Sequence, residues 1–274
     1  MSSKIINPVS GRYVSKTGSI GRNLLKDTTN CTKPGMEQNI NTCWFNAIFN
    51  CMLLSQKANN FFLNKYRKLP IEERRVIEKD NSAESCPLKL RKSHFYKYIY
   101  KYNFNRNKTN LIPEKLINGL EIRSKSWEEN RAEWDARPAL ESILPIIFEK
   151  PEYRITDIGY KYQKPTKKTK FIFIQYSDDI TTPVDKLNTM MVIPKNFTID
   201  HVVIDIHFES LIHSVAGYIC DSVYYLYDSN ESNIHKIDWK NKTKLLDYFS
   251  KINKYAPFGK VNFIGYSYVC FSII

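Results

Sequence analysis

The chain has 274 residues, 42% of them apolar and 25% charged, enough to bury a sizeable core as one large domain or as a domain with a small appendage. No apolar run approaches the roughly 18 residues that a membrane-spanning helix needs, so no membrane contact is expected. The net charge of +13, from 41 basic and 28 acidic residues, favours non-specific attraction to nucleic acid, yet no zinc finger, RNP aromatic signature or basic zipper is present to read a sequence.

The N-terminal residues Met1 to Pro8 lack the long apolar core of a secretory signal, which sets the expectation of a reducing compartment. Six cysteines, at 31, 43, 51, 86, 220 and 270, form no C-x-x-C pair and do not cluster with histidines. Neither a metal site nor a disulfide framework is therefore expected, Cys220 and Cys270 read as inert, and no cofactor is implied. Abundant Asn, Lys, Ile and Tyr hint at an A/T-rich genome.

Residues 1–31 are rich in Gly, Ser, Thr and Lys and read as a semi-ordered basic arm with one short helix around Ile20 to Lys26. The segment Asn7-Pro8-x-Ser10-Gly11-Arg12, with Leu24-Leu25-Lys26 and Cys31, resembles a short adaptor motif of large nucleocytoplasmic DNA virus proteins, although that motif's first cysteine is missing. A flexible basic tail accounts for the segment equally well.

From Cys43 the spacing predicts a helix, with Trp44, Ala47, Ile48, Cys51, Met52 and Ser55 on one face. Cys43 opens that helix, where unsatisfied N–H groups and the macrodipole favour a thiolate. Asn41 and Thr42 are placed to cap it, and Gln38, a few residues upstream, is placed to aim an amide at an oxyanion. A buried cysteine on a core helix is the plainer reading of this segment alone.

Gly35-Met36-x-Gln38-x-x-Asn41-Thr42-Cys43-Trp44-Phe45-Asn46-Ala47 resembles the cysteine box of ubiquitin-specific proteases, and its Cys-Trp pair resembles papain. Gln38 stands where that family usually has Asn, and Ile40 where it has Gly, which implies a divergent relative. A nucleophile of this type needs a histidine base and a group to orient it, far downstream in sequence.

A helix continues or restarts from Gln56 to Lys79, with Phe61, Phe62, Tyr66 and Leu69 apolar and the charges after Ile71 a solvated face. From Leu88 to Arg106 bases and aromatics interleave, a pattern that suits stacking on nucleic acid; as a helix, Phe95, Tyr98 and Tyr102 instead form a core stripe. Pro113 starts a helix within 111–124. The acidic, aromatic run from Ser126 to Arg137 includes Glu128 and Glu129, and the resemblance implies a role for them in receiving a basic peptide tail. After Pro138, Leu140, Ile143, Leu144, Ile146 and Ile147 predict a second buried helix.

Beyond residue 150 the period changes from 3.6 to 2, predicting strands at 170–176, 190–193, 201–208 and 260–274 and a hairpin over 214–227. His207 reads as structural, and a short amphipathic helix is expected over Lys240 to Lys254. If Asp221-Ser222 is a two-residue turn, His213 faces Asn230 and Asp228 faces Val215, so His213 and Asp228 lie diagonally across the open end of the hairpin. This arrangement resembles the histidine box of the papain-like superfamily, and the order Cys, His, Asp matches papain-like, ubiquitin-specific and ovarian-tumour-type proteases.

The resulting expectation is an α+β, papain-like fold with a helical N-terminal half packed on a C-terminal antiparallel sheet. Residues 1–31 form the arm and 32–274 the protease domain, mainly helical over 32–150 and mainly β over 151–274. The catalytic candidates are Cys43, His213 and Asp228, with Gln38 at the oxyanion and Trp44, Tyr218, Asn41, Glu128 and Glu129 at the substrate. The resemblance implies a virus-encoded deubiquitinase acting on ubiquitin or a ubiquitin-like modifier in the host cytoplasm. The same groups suit a virion-packaged maturation protease cutting a viral polyprotein, or transglutaminase-like acyl transfer. A non-catalytic basic virion or nucleic-acid-binding protein on the same core is the third class.

Overall fold

Between residues 43 and 147 apolar side chains recur at helical spacing; from 153 onward β-branched and aromatic residues alternate, and the chain changes from helices to strands there. The computed structural model describes residues 4–6, 13–15, 17–18, 31–38, 42–79, 88–104, 116–117, 136–158, 160, 164–176 and 183–273. The expectations placed on residues 20–26, on Asn41 and on the acidic run with Glu128 and Glu129 lie outside them. So does the helix over 111–124, apart from Leu116 and Ile117, which are buried.

The described helices are α1 (Cys43–Leu54), α2 (Gln56–Lys68), α3 (Ile71–Lys79), α4 (Leu88–Phe104), α5 (Ala136–Ile147), α6 (Leu187–Met190) and α7 (Lys242–Ser250). None is long and apolar enough to cross a membrane. In the N-terminal arm, β1 (Lys4–Ile6) pairs antiparallel with β2 (Tyr13–Ser15). The main sheet contains β3 (Tyr153–Asp157), β4 (Phe171–Gln175), β5 (Phe197–Phe208), β6 (Ile212–Cys220), β7 (Val223–Asp228), β8 (Asn233–His235) and β9 (Val261–Ile273). Its strand order is β3-β4-β9-β5-β6-β7-β8.

Two sequence expectations are corrected here. The sheet is mixed: β3 runs parallel to β4, and the other pairings are antiparallel. β3 is a short, half-exposed edge strand, too brief for its alternation to stand out. Met190 to Ile193, expected as a strand, is instead the end of α6 and a turn in which Val192 has φ 53°. Four apolar residues in a row carry too little periodicity to separate the two.

Successive strand residues point to opposite faces, so the sheet has two cores. Phe171, Phe173, Val203, Ala216, Tyr218, Tyr227 and Tyr268 meet the helices of the N-terminal half. Ile172, Ile174, Val202, Ile204, Val215, Leu226 and Phe271 face the other way, onto Trp239 and the Leu245 and Phe249 side chains of α7. Helix α1 lies between the sheet and α2, α5; all eleven residues after Cys43 are buried, so it is a central helix rather than the one-faced helix its spacing suggested.

In α4, Phe95, Tyr98 and Tyr102 are buried, so the aromatic stripe packs inside and is not presented for base stacking.

Candidate active site

The hairpin β6–β7 has the register the turn chemistry predicts. Cys220 pairs with Val223 and Ala216 with Tyr227, and Asp221 and Ser222 both take positive φ, 48° and 63°, as a two-residue primed turn requires. His213, at the start of β6, and Asp228, at the end of β7, therefore meet at the hairpin's open end. His213 Nε2 is 2.9 Å from Asp228 Oδ1, with both residues buried.

Helix α1 brings its first residue close to the imidazole, and the nearby Cys43 side chain adds to the forces that favour the protonated ring. Cys43 is partly exposed, whereas Cys51 and Cys270 are buried. Burial pushes both of those thiols up, and Cys51 donates to Val202 O at 3.1 Å, which leaves them poor nucleophiles.

The electrostatics follow from the geometry. Burial alone lowers a histidine's pKa, but the Asp228 charge, its hydrogen bond and the Cys43 side chain outweigh that and raise His213 to about 10. Burial alone raises a carboxyl, yet the His213 charge and hydrogen bonds from His213, Tyr255 and the Asn230 N–H hold Asp228 below its ordinary value.

Gln38 arrives on an extended strap, residues 31–38. Its N–H donates to Ser229 O at 2.9 Å, and Ser229 Oγ donates to Gln38 Oε1 at 3.5 Å, which leaves the Gln38 amide N–H₂ free of that contact. The strap is fastened by buried Asn50 of α1, which accepts from Met36 N–H at 2.6 Å and donates to Met36 O at 3.0 Å. Tyr227 Oη donates to Met36 O and Tyr102 Oη to Lys33 O. At its far end Cys31 is disulfide-bonded to Cys220 across 189 residues of sequence. That bond corrects the expectation of no disulfide and of an inert Cys220. The pairing is invisible in the spacing because only the strap's path over the end of β6 brings the two sulfurs together.

Other expected contacts differ. Tyr218 is fully buried and donates to Cys31 O at 2.8 Å, and Trp44 is 2% exposed, so both rings face the interior instead of walling an open cleft. Thr42 precedes α1 without a side-chain cap. Sequence reading missed Asn50, whose only signal is a polar residue inside an apolar helix, and Tyr255, which lies in a connection that offers no signal. A second buried pair, His201 Nδ1 to Asp200 Oδ2 at 2.8 Å with Ser55 Oγ donating to the same oxygen at 2.6 Å, lies under α2 away from Cys43.

Among solved structures the chain is similar to deubiquitinases of the ubiquitin-specific protease type, at a level that concerns the fold. The SAGA DUB module Ubp8/Sgf11/Sus1/Sgf73 bound to monoubiquitin matches with a TM-score of 0.52 and 9% identity, over 97% of this chain and 78% of that one. A second structure of the module gives 0.50 and 9%, over 97% and 77%. No protein-family profile matches the chain, and no curated sequence matches it. The fold is therefore α+β and deubiquitinase-like.

Proposed function

We propose that this protein is a cysteine-type deubiquitinase in which Cys43 is the nucleophile, His213 the base and Asp228 the group that orients it. The observation that carries this reading is the buried His213–Asp228 pair at the hairpin end, with the partly exposed Cys43 at the helix start near enough to act on the imidazole. His213 takes the Cys43 proton or holds the sulfur as its ion-pair partner, and the sulfur attacks the carbonyl carbon. The Gln38 amide and the Cys43 backbone N–H, unpaired within α1 because it is the first helical residue, face the developing oxyanion. His213 then gives its proton to the leaving amine, activates water against the thioester, and the acid product departs.

The fold likeness to a module bound to monoubiquitin supports the C-terminal glycyl bond of ubiquitin, or of a ubiquitin-like modifier, as the bond cleaved. The test is reaction with ubiquitin carrying a C-terminal electrophile. A covalent adduct, absent in Cys43→Ala, is expected, together with hydrolysis of a ubiquitin C-terminal amide. An adduct that persists in Cys43→Ala refutes the nucleophile; no adduct, with cleavage of Gly-Gly peptides, moves the substrate to another protein.

A further inference from the structure

The His213–Asp228 pair has a third member. Tyr255, in the 3-10 turn Asn253–Phe258 between α7 and β9, places its hydroxyl 2.9 Å from His213 Nε2 and 2.5 Å from Asp228 Oδ2. Asn230 Nδ2 donates to the same hydroxyl at 3.3 Å. We infer that Tyr255 is a positioning residue that fixes which nitrogen of His213 carries the proton and which way the ring points. This rests on the cysteine-nucleophile reading above and adds a residue that the expected Cys, His, Asp set does not contain.

The argument is a count of protons. A phenol has one, and an ionised carboxylate can only accept, so at 2.5 Å that proton belongs to the bond with Asp228 Oδ2. The Tyr255 oxygen then offers lone pairs alone, one to the Asn230 amide and one toward His213. Nε2 consequently faces two acceptors, Tyr255 Oη and Asp228 Oδ1, and must itself be N–H. In the neutral ring this leaves a lone pair on Nδ1, the one ring nitrogen then able to take a proton from a thiol. The opposite tautomer would set a lone pair on Nε2 against both oxygens.

The hydroxyl is well held. Tyr255 is 1% exposed, and its ring stacks on Phe208 at 5.1 Å and lies 5.1 Å from the His213 ring. Burial, then the Asp228 charge, keeps the phenol protonated far above neutral pH. The charged groups around the cluster are Asp228, Glu231 and Lys254, whose Nζ donates to Asn230 O.

Tyr255→Phe keeps the ring and removes only the oxygen. The pH dependence of Cys43 alkylation by chloroacetamide, read by mass spectrometry, is expected to show a rate about tenfold lower near neutrality. Its acidic limb should move to higher pH, because Asp228 loses a donor to its charged form. A folded Tyr255→Phe protein whose profile superimposes on the wild type overturns the inference. The ¹⁵N spectrum of His213 in Cys43→Ala, which keeps Tyr255, followed upward in pH until the ring loses its proton, reads the tautomer whether or not Tyr255→Phe folds. A neutral ring protonated on Nε2 is expected, and one protonated on Nδ1 overturns the inference. Neither measurement uses ubiquitin, so failure to hydrolyse ubiquitin falls on the substrate assignment alone.

Discussion

A histidine buried against a carboxylate ties the stability of the whole chain to pH. Folded His213 holds its proton to about pH 10, against 6.5 for the free side chain, so between those values the native state binds more protons than the unfolded one. The stabilisation is complete below pH 6.5 and is lost as pH rises toward 10. Asp228 contributes in the opposite sense: its share is present above the ordinary carboxylate range and lost as pH falls through its depressed value. The urea midpoint of the wild type should therefore drop between pH 7 and pH 9.5 more steeply than that of His213→Gln, and parallel curves would contradict the raised His213. Asp228→Asn should slow ubiquitin amide hydrolysis by roughly a hundredfold or more, because its amide can donate to Nε2 and favour the wrong tautomer.

At the scale of elements, the strap over residues 31–38 is what places Gln38 beside the hairpin end. Gly35 crosses Asn50 so closely that a Cβ would sit 2.2 Å from Asn50 Oδ1, and Asn50 belongs to a helix with no room to retreat. Gly35→Ala is expected to cost about 1–3 kcal/mol in chemical denaturation by forcing the two apart. It should also lower the rate of ubiquitin amide hydrolysis, since Gln38 follows three residues on. The Cys31–Cys220 bond anchors the strap's other end. Replacing both cysteines by serine should cost about 2–5 kcal/mol and increase hydrogen exchange at the Met36 and Gln38 amides, measured by mass spectrometry. Unchanged exchange would mean that the Asn50 and Ser229 hydrogen bonds hold the strap unaided.

At the scale of the molecule, the helical half and the sheet complete each other. α1 is buried on every side because the sheet is its floor and α2 and α5 its cover, and Phe171, Phe173 and Tyr268 bury their rings in the core that those helices close over the sheet. Fragments 1–150 and 151–274 expressed apart should each show unfolded circular dichroism and regain structure when mixed. A folded 1–150 fragment would show that the helices close a core of their own.

Local chemistry determined much of this protein. The start of α1 at Cys43, the turn at Asp221-Ser222 and the resulting approach of His213 to Asp228 all depend on neighbours within a few residues, so they are legible in the sequence. The change of period near residue 150 likewise determines the α+β class. Only the tertiary structure decided what depends on distant segments passing in space: the parallel β3 edge, the disulfide across 189 residues, the inward turn of Tyr218 and the arrival of Tyr255 from the far face of the sheet. The physical reason is the same in each case. Periodicity and turn residues record how a segment folds on itself, while pairing between segments is set by the shape of the cores they enclose.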